Sequence, residues 1–244
     1  MMAEPSVSSG QTSQLIRGHP ADVIGAEGRW LRVRGADGYD GWCHEGYLRD
    51  DPAPMGLPLH SAWGSERRIS LGCTVTIDGG GVVPLPLGAL LEPDETVVGG
   101  AAMNHRARAR YFPQDGPVLA RRVVELFRGT PYQWGGVSQW GADCSGVVQT
   151  AYALHGTQLP RDAWQQAERG REVPGDLAEL AAGDLLFFSD RTDGRPTHVG
   201  MSLGGSALAH SSLSNGGFAV DDLAAEYRVA EELRRTFRFA RRIW

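Results

Sequence analysis

Three residues of this 244-residue chain have the types and spacing for nucleophilic chemistry: Cys144, His198 and His210. Cys144 stands in Gly141-Ala142-Asp143-Cys144-Ser145-Gly146, and the apolar spacing after it predicts a helix over 144–154, with Val147, Val148, Ala151 and Tyr152 inward. A cysteine in the first turn of a helix lies among unpaired N–H groups at the positive end of the helix dipole. That setting lowers a thiol's pKa and favours the thiolate. The small Gly141, Ala142 and Gly146 leave room for a substrate backbone. Read alone, Cys144 serves equally well as a buried structural cysteine, the commoner fate of a free thiol.

The histidines shift that balance. Residues 197–212 read as a hairpin, with His198 on one strand and His210 on the next. A three-residue Gly204-Gly205-Ser206 turn pairs Leu203 with Ala207 and Gly200 with His210, which makes the two rings diagonal neighbours on one face. A two-residue turn puts them on opposite faces. On one face, His198 can act as general base and His210 can orient it. The same three side chains are an alternative zinc set, although no CxxC or HExxH spacing accompanies them. His19, His44, His60, His105 and His155 have no such partners. Cys43 and Cys73 read as small core residues.

These side chains need elements to hold them. Helical periodicity covers 117–127, with Gly129 as C-cap, then 144–154 and a short 162–169. Strands follow at 185–188, 198–203, 207–211, 218–220 and 236–243. Helices first and an antiparallel sheet second make an α+β domain. Upstream, Trp30–Arg34 alternates apolar and polar, and Tyr39–Cys43 returns after Gly35-Ala36-Asp37-Gly38, a hairpin of a small barrel. Asp50–Pro58 reads as a Pro-rich linker. Strand-like stretches resume at 68–77, 82–91, 96–98 and 106–112, with Gly79–Gly81 as a turn. Three domains result: 1–50, 51–112 and 113–244.

Composition narrows the class. Hydrophobic residues are 41% and charged residues 22%, enough for a buried core. Net charge is −5, with arginine supplying all 24 cations, and no basic face points to nucleic acid. The longest near-apolar run, Val82–Leu91, holds two prolines, so no membrane insertion is expected. Met1–Gly10 lacks a basic segment followed by an apolar one. The expectation is therefore a cytoplasmic protein, or one of the cell wall or exterior if the N-terminus is trimmed.

The segments GTPYQWGG, GADCSG, LPRDA, AGDLLFF, THVGMSLG and ALAHSS, in this order, resemble the NlpC-type cysteine peptidase family of bacterial cell-wall enzymes over residues 117–244. WLRVRGADGYDGW followed by GYL resembles a bacterial SH3-like domain, and a second such domain fits 51–112. The resemblance implies a papain-like α+β catalytic domain behind one or two SH3-like barrels, and no metal or organic cofactor. It implies cleavage between γ-D-Glu and the diamino acid of peptidoglycan stem peptides. Cys144 becomes the nucleophile, His198 the base and His210 the orienting residue. Tyr132 places a hydroxyl by the oxyanion site, and Asp143 and Ser145 hold substrate, although both are also good helix caps.

In such endopeptidases the SH3-like domain closes the non-primed end of the cleft. Tyr39 with Asp143 would then hold the free amino group of an N-terminal L-Ala, unless Tyr39 is an ordinary barrel aromatic. The family often carries Ser after LPRD, where this chain has Ala163. Arg161 is retained and reads equally as a surface charge. Two rivals stand beside this reading. One is an amidase or acyl transferase on the same fold, and the other is an inert wall-binding module. Selective labelling of Cys144 by iodoacetamide over Cys43 and Cys73 separates the last from the rest.

Overall fold

The computed structural model describes residues 1–50, 67–77 and 79–244, in two compact units. The first comprises Met1–Arg108 and Trp134–Gly136, the second Ala109–Gln133 and Val137–Trp244. The linker expected at 50–58 lies, beyond Asp50, outside the described residues, as does His60.

In the first unit, β1 (Ala21–Glu27), β2 (Trp30–Gly35) and β3 (Asp40–His44) form an antiparallel sheet in that order. Tyr39 stands in the β2–β3 turn and is half-buried. Met2 pairs with Trp42 of β3, each N–H donating to the other's carbonyl at 2.8 Å. Further on, β4 (Ile69–Ser70) pairs with a later strand, while β5 (Thr74–Thr76) lies between β6 (Val82–Pro84) and β7 (Thr96–Gly99). The partner of β4 is β8 (Ala102–Met103). Cys73, Val75, Leu85, Ala89 and Leu91 pack as the core here. Cys43 is only half-buried, not the core residue expected.

Residues 105–111 correct the sequence reading: they form helix α1 (His105–Tyr111), not a strand. The alternation Arg-Ala-Arg-Ala-Arg imitates a strand's period. Alanine and arginine are nevertheless among the strongest helix formers, and Asn104 Oδ1 caps the turn by accepting the Ala107 N–H at 2.9 Å.

The second unit holds the residues of interest. Helix α2 (Gly116–Phe127) is capped by Asp115, which accepts the Val118 N–H at 2.9 Å, and buries Leu119, Ala120, Val123 and Phe127. Strands β9 (Val137–Ser138) and β10 (Gly141–Ala142) form a short ladder leading into α3 (Cys144–Leu154). Helix α4 (Ala163–Gln166) is one turn, shorter than expected. Glu168 and Arg169 donate to Gln165 and Gln166, three residues back, and Gly170 at φ 71° passes the chain into β11 (Arg171–Val173).

The sheet continues with β12 (Leu185–Phe188), β13 (His198–Gly204), β14 (Ala207–Ser212), β15 (Gly217–Asp222) and β16 (Phe237–Arg242). All pairings are antiparallel, in the order β11-β16-β12-β13-β14-β15. All four residues of β12 are buried, as befits a central strand covered on both faces. Leu186, Phe188, Leu208 and Ala240 pack with Leu180, Leu223 and Leu233. Leu233 belongs to α5 (Arg228–Thr236), a stretch to which the sequence reading assigns no element. Among the described residues, no helix is long and apolar enough to cross a membrane.

Candidate active site

Cys144 is the first helical residue of α3, as its sequence predicts. Asp143 is the N-cap, its Oδ1 accepting the Gly146 N–H at 2.8 Å. Beneath the cap lies Arg161. Its sequence position permits a surface charge, yet it is 2% exposed. Its guanidinium grips Asp143 with both ends, Nη1 to Oδ1 at 3.0 Å and Nη2 to Oδ2 at 2.6 Å, and Nη1 also donates to Ser145 Oγ at 2.8 Å. Ser145 Oγ in turn donates to Asp143 Oδ1 at 3.2 Å. Gln166 of α4 donates to the Ser145 carbonyl at 3.0 Å and the Pro160 carbonyl at 2.8 Å, tying α4 to the first turn of α3. Ala163 is the buried first residue of α4.

The Cys144 sulfur accepts hydrogen bonds from the backbone N–H of Ser145 and of Val199, the residue after His198. The nucleophile candidate therefore lies against the start of β13. The thiol's pKa does not fall as the helix terminus alone suggests. Burial pushes it up to about 11, and the Asp143 charge adds to that; the two N–H bonds and Arg161 pull the other way without overcoming it. Burial likewise pushes His198 down to about 3, with His210 acting in the same direction. Both shifts favour a neutral thiol and a neutral imidazole.

The hairpin carrying the histidines is built differently from the expectation. Gly204 pairs with Ala207, so the turn is the two-residue Gly205-Ser206. A bulge at Leu203 takes up one residue, after which Ser202 pairs with Leu208 and Met201 with Ala209. Continued one step, that register sets Gly200 opposite His210, as the three-residue turn would have done. The bulge restores the common face that a plain two-residue turn destroys. His198 Nε2 and His210 Nδ1 are 2.9 Å apart, with the rings edge to face at 79°. Ser211 Oγ donates to the Ala142 carbonyl at 2.8 Å, fastening β14 to the chain just before Cys144.

Beyond His210 the chain of contacts continues. His210 Nε2 is 2.6 Å from Asp221 Oδ2, and the same oxygen accepts from Asn215 Nδ2 at 2.7 Å. Asp221, Asn215 and Tyr227 are absent from the sequence reading. The strand expected at 218–220 stops one residue short of Asp221, which lies within β15. Its register carried the signal: Ala219 pairs with His210, so Asp221 is the diagonal neighbour on the same face.

Tyr132 is half-buried, its N–H donating to the Gly216 carbonyl at 3.0 Å. Gly217 is what admits this segment, since a Cβ there would collide with the Thr130 carbonyl. Burial first, then the charges on Cys144 and Asp143, push the Tyr132 phenol well above its ordinary range, so it stays a protonated donor. Trp134 and Trp140 are exposed, and Trp164 stacks under Arg195 with 4.0 Å from guanidinium to ring. His19 bonds to the Gly88 carbonyl at 3.0 Å, and His44 accepts the Gly46 N–H at 3.2 Å. All three cysteines are free thiols. Among the described residues, no group of three or more His, Cys, Asp or Glu side chains is arranged to hold a metal ion.

Comparison with known proteins agrees with this architecture. Residues 129–235 match the NlpC/P60 family and residues 3–49 the bacterial SH3 domain. The γ-D-glutamyl-L-lysine dipeptidyl-peptidase of Bacillus subtilis (strain 168) is 45% identical over 87 residues, 35% of this chain and 29% of that protein. The enzyme of the same name from Bacillus cereus is 42% identical over 88 residues, 36% of this chain and 26% of that one. The chain thus spans under a third of the length of these two relatives. Dipeptidyl-peptidase 6 of Lysinibacillus sphaericus is 27% identical over 256 residues, covering 93% of this chain and 89% of that one. An NlpC/P60 family protein from Bacillus cereus shares the fold, with a TM-score of 0.72 at 21% identity over 95% of this chain and 82% of that one.

Proposed function

We propose that this chain, which carries an NlpC/P60 domain and a bacterial SH3 domain, is a cysteine peptidase that cuts the bond from γ-D-Glu to the diamino acid in peptidoglycan stem peptides. The observation that carries the reading is the Cys144 sulfur at the first turn of α3, held by the N–H next to His198, with His198 bonded to His210. The names of the Bacillus relatives supply the substrate class.

The chemistry follows from two neutral groups. As the Cys144 sulfur attacks the γ-carbonyl carbon of D-Glu, His198 takes the thiol proton. The C–N bond breaks, and His198 returns that proton to the departing amine of the diamino acid. Water, deprotonated by His198, then attacks the thioester and releases the γ-carboxylate and the thiol. Tyr132 supplies a hydroxyl donor to the developing oxyanion, a contribution of about 3 kcal/mol. Ser145 and Asp143, with Arg161 beneath them, recognise the polar part of the substrate. On the family resemblance alone, we further propose Tyr39 as a ligand of a free N-terminal amino group.

Mass spectrometry of products from a defined set of stem peptides tests this. L-Ala-γ-D-Glu and a free diamino acid, or a peptide beginning with it, are expected. Cleavage at another bond would favour the amidase reading, and products extended by an added amine the acyl transferase.

A further inference from the structure

The proton positions along His198, His210 and Asp221 follow from the carboxylate inward. Asp221 is 8% exposed. Its Oδ2 faces His210 Nε2 and Asn215 Nδ2, and its Oδ1 accepts from Tyr227 Oη at 2.9 Å. Tyr227 Oη itself accepts the Asp222 N–H at 3.0 Å, which leaves its proton for Asp221. Three donors converge on one carboxylate. It is held down at about 2, the His210 bond being the largest cause and the Asn215 and Tyr227 bonds adding to it. An ionised carboxylate only accepts, so the hydrogen in the 2.6 Å contact sits on His210 Nε2. A neutral His210 then has a bare Nδ1, which also only accepts. In that state the hydrogen in the 2.9 Å contact between the rings comes from His198 Nε2. A neutral His198 protonated there has its lone pair on Nδ1.

We propose that Asp221 is a positioning residue: acting through His210, it keeps the His198 proton on Nε2 and leaves Nδ1 as the base for the Cys144 thiol. The inference rests on the cysteine-peptidase reading above for its catalytic meaning. Asn215 shows what the carboxylate prevents. Its Nδ2 already stands 3.4 Å from His210 Nε2. Without an acceptor at 221, that amide donates to His210 Nε2 instead. The His210 proton moves to Nδ1 and donates to His198 Nε2, and the His198 proton moves to Nδ1, where it blocks the base.

The test is ¹⁵N-histidine NMR of the full chain at pH 8, with kcat/KM on stem peptide and the rate of Cys144 alkylation by iodoacetamide. Wild type should show His198 protonated at Nε2. Asp221→Ala should move that proton to Nδ1 and lower both rates by at least about 100-fold, since a wrong tautomer costs up to ~10⁴ in a related relay. Asp221→Asn keeps an acceptor oxygen facing His210 and should retain the tautomer and lose less than about tenfold. Three results overturn the proposal: wild-type His198 protonated at Nδ1, loss of activity in Asp221→Ala with the tautomer unchanged, or Asp221→Asn falling as far as Asp221→Ala. If Asp221→Ala does not fold, wild type and Asp221→Asn still decide. The tautomer and alkylation need no peptide, so a wild type that cleaves no stem peptide refutes the substrate reading and leaves this one separately tested.

Discussion

Replacing Arg161 with methionine removes one half of a buried ion pair and keeps most of the side-chain volume. Arg161 and Asp143 are 2% and 5% exposed, joined at 2.6 and 3.0 Å. In the Arg161→Met protein, Asp143 keeps the Gly146 N–H and the Ser145 hydroxyl but loses its countercharge. Stranding a buried charge costs about 3–5 kcal/mol. At about 2–4 °C per kcal/mol for a domain of this size, the melting transition of the second unit should fall by about 6–20 °C. Asp143→Asn combined with Arg161→Met leaves no lone charge and should recover at least half of that loss. Calorimetry of wild type, both single variants and the double variant measures it. A fall below about 2 °C for Arg161→Met, or simple additivity in the double variant, would refute the buried-pair account and return Arg161 to the surface role its sequence permits.

Other expectations are as direct. His198 and His19 are held down at about 3 and about 4, against 6.5 when unfolded, so the unfolded chain binds protons that the folded one refuses. Stability is then complete above pH 6.5 and declines as pH falls toward 4; a urea midpoint as high at pH 5 as at pH 7.5 would contradict this. Hydrolysis should survive dialysis against EDTA and be lost on thiol alkylation, whereas loss on chelation with recovery on zinc would remove Cys144 as nucleophile. Wild type should prefer a stem peptide with a free amino terminus to its N-acetylated form, and Tyr39→Phe should narrow that preference. Equal kcat/KM on both substrates in wild type would detach Tyr39 from recognition.

What the sequence made legible was local. The helix at Cys144 announces itself by a capping Asp, small flanking residues and a clean apolar stripe, and α3 begins at the predicted residue. The common face of His198 and His210 was legible only through the turn, and the reason it holds is the bulge at Leu203, which no residue type there signals. Arg161 was ambiguous because a charge in sequence says nothing of depth. Its burial depends on Asp143, 18 positions away. Asp221 was missed because its partner sits on another strand. Helix α1 was misread because arginine and alanine in alternation satisfy a strand's period while each favours a helix. Helix α5 was legible in Val229, Ala230 and Leu233, spaced for one face, and went unassigned beside the strong strand pattern after it.

The central claim is that the Cys144 sulfur performs the bond cleavage. The measurement is product release from L-Ala-γ-D-Glu-L-Lys by purified wild type and Cys144→Ala, with circular dichroism confirming that both fold. Alanine at the first helical position keeps α3 intact, so the change isolates the chemistry. Wild type should release L-Ala-γ-D-Glu and lysine, and Cys144→Ala should release neither above background. A Cys144→Ala protein that folds and keeps a tenth or more of the wild-type rate would contradict the account.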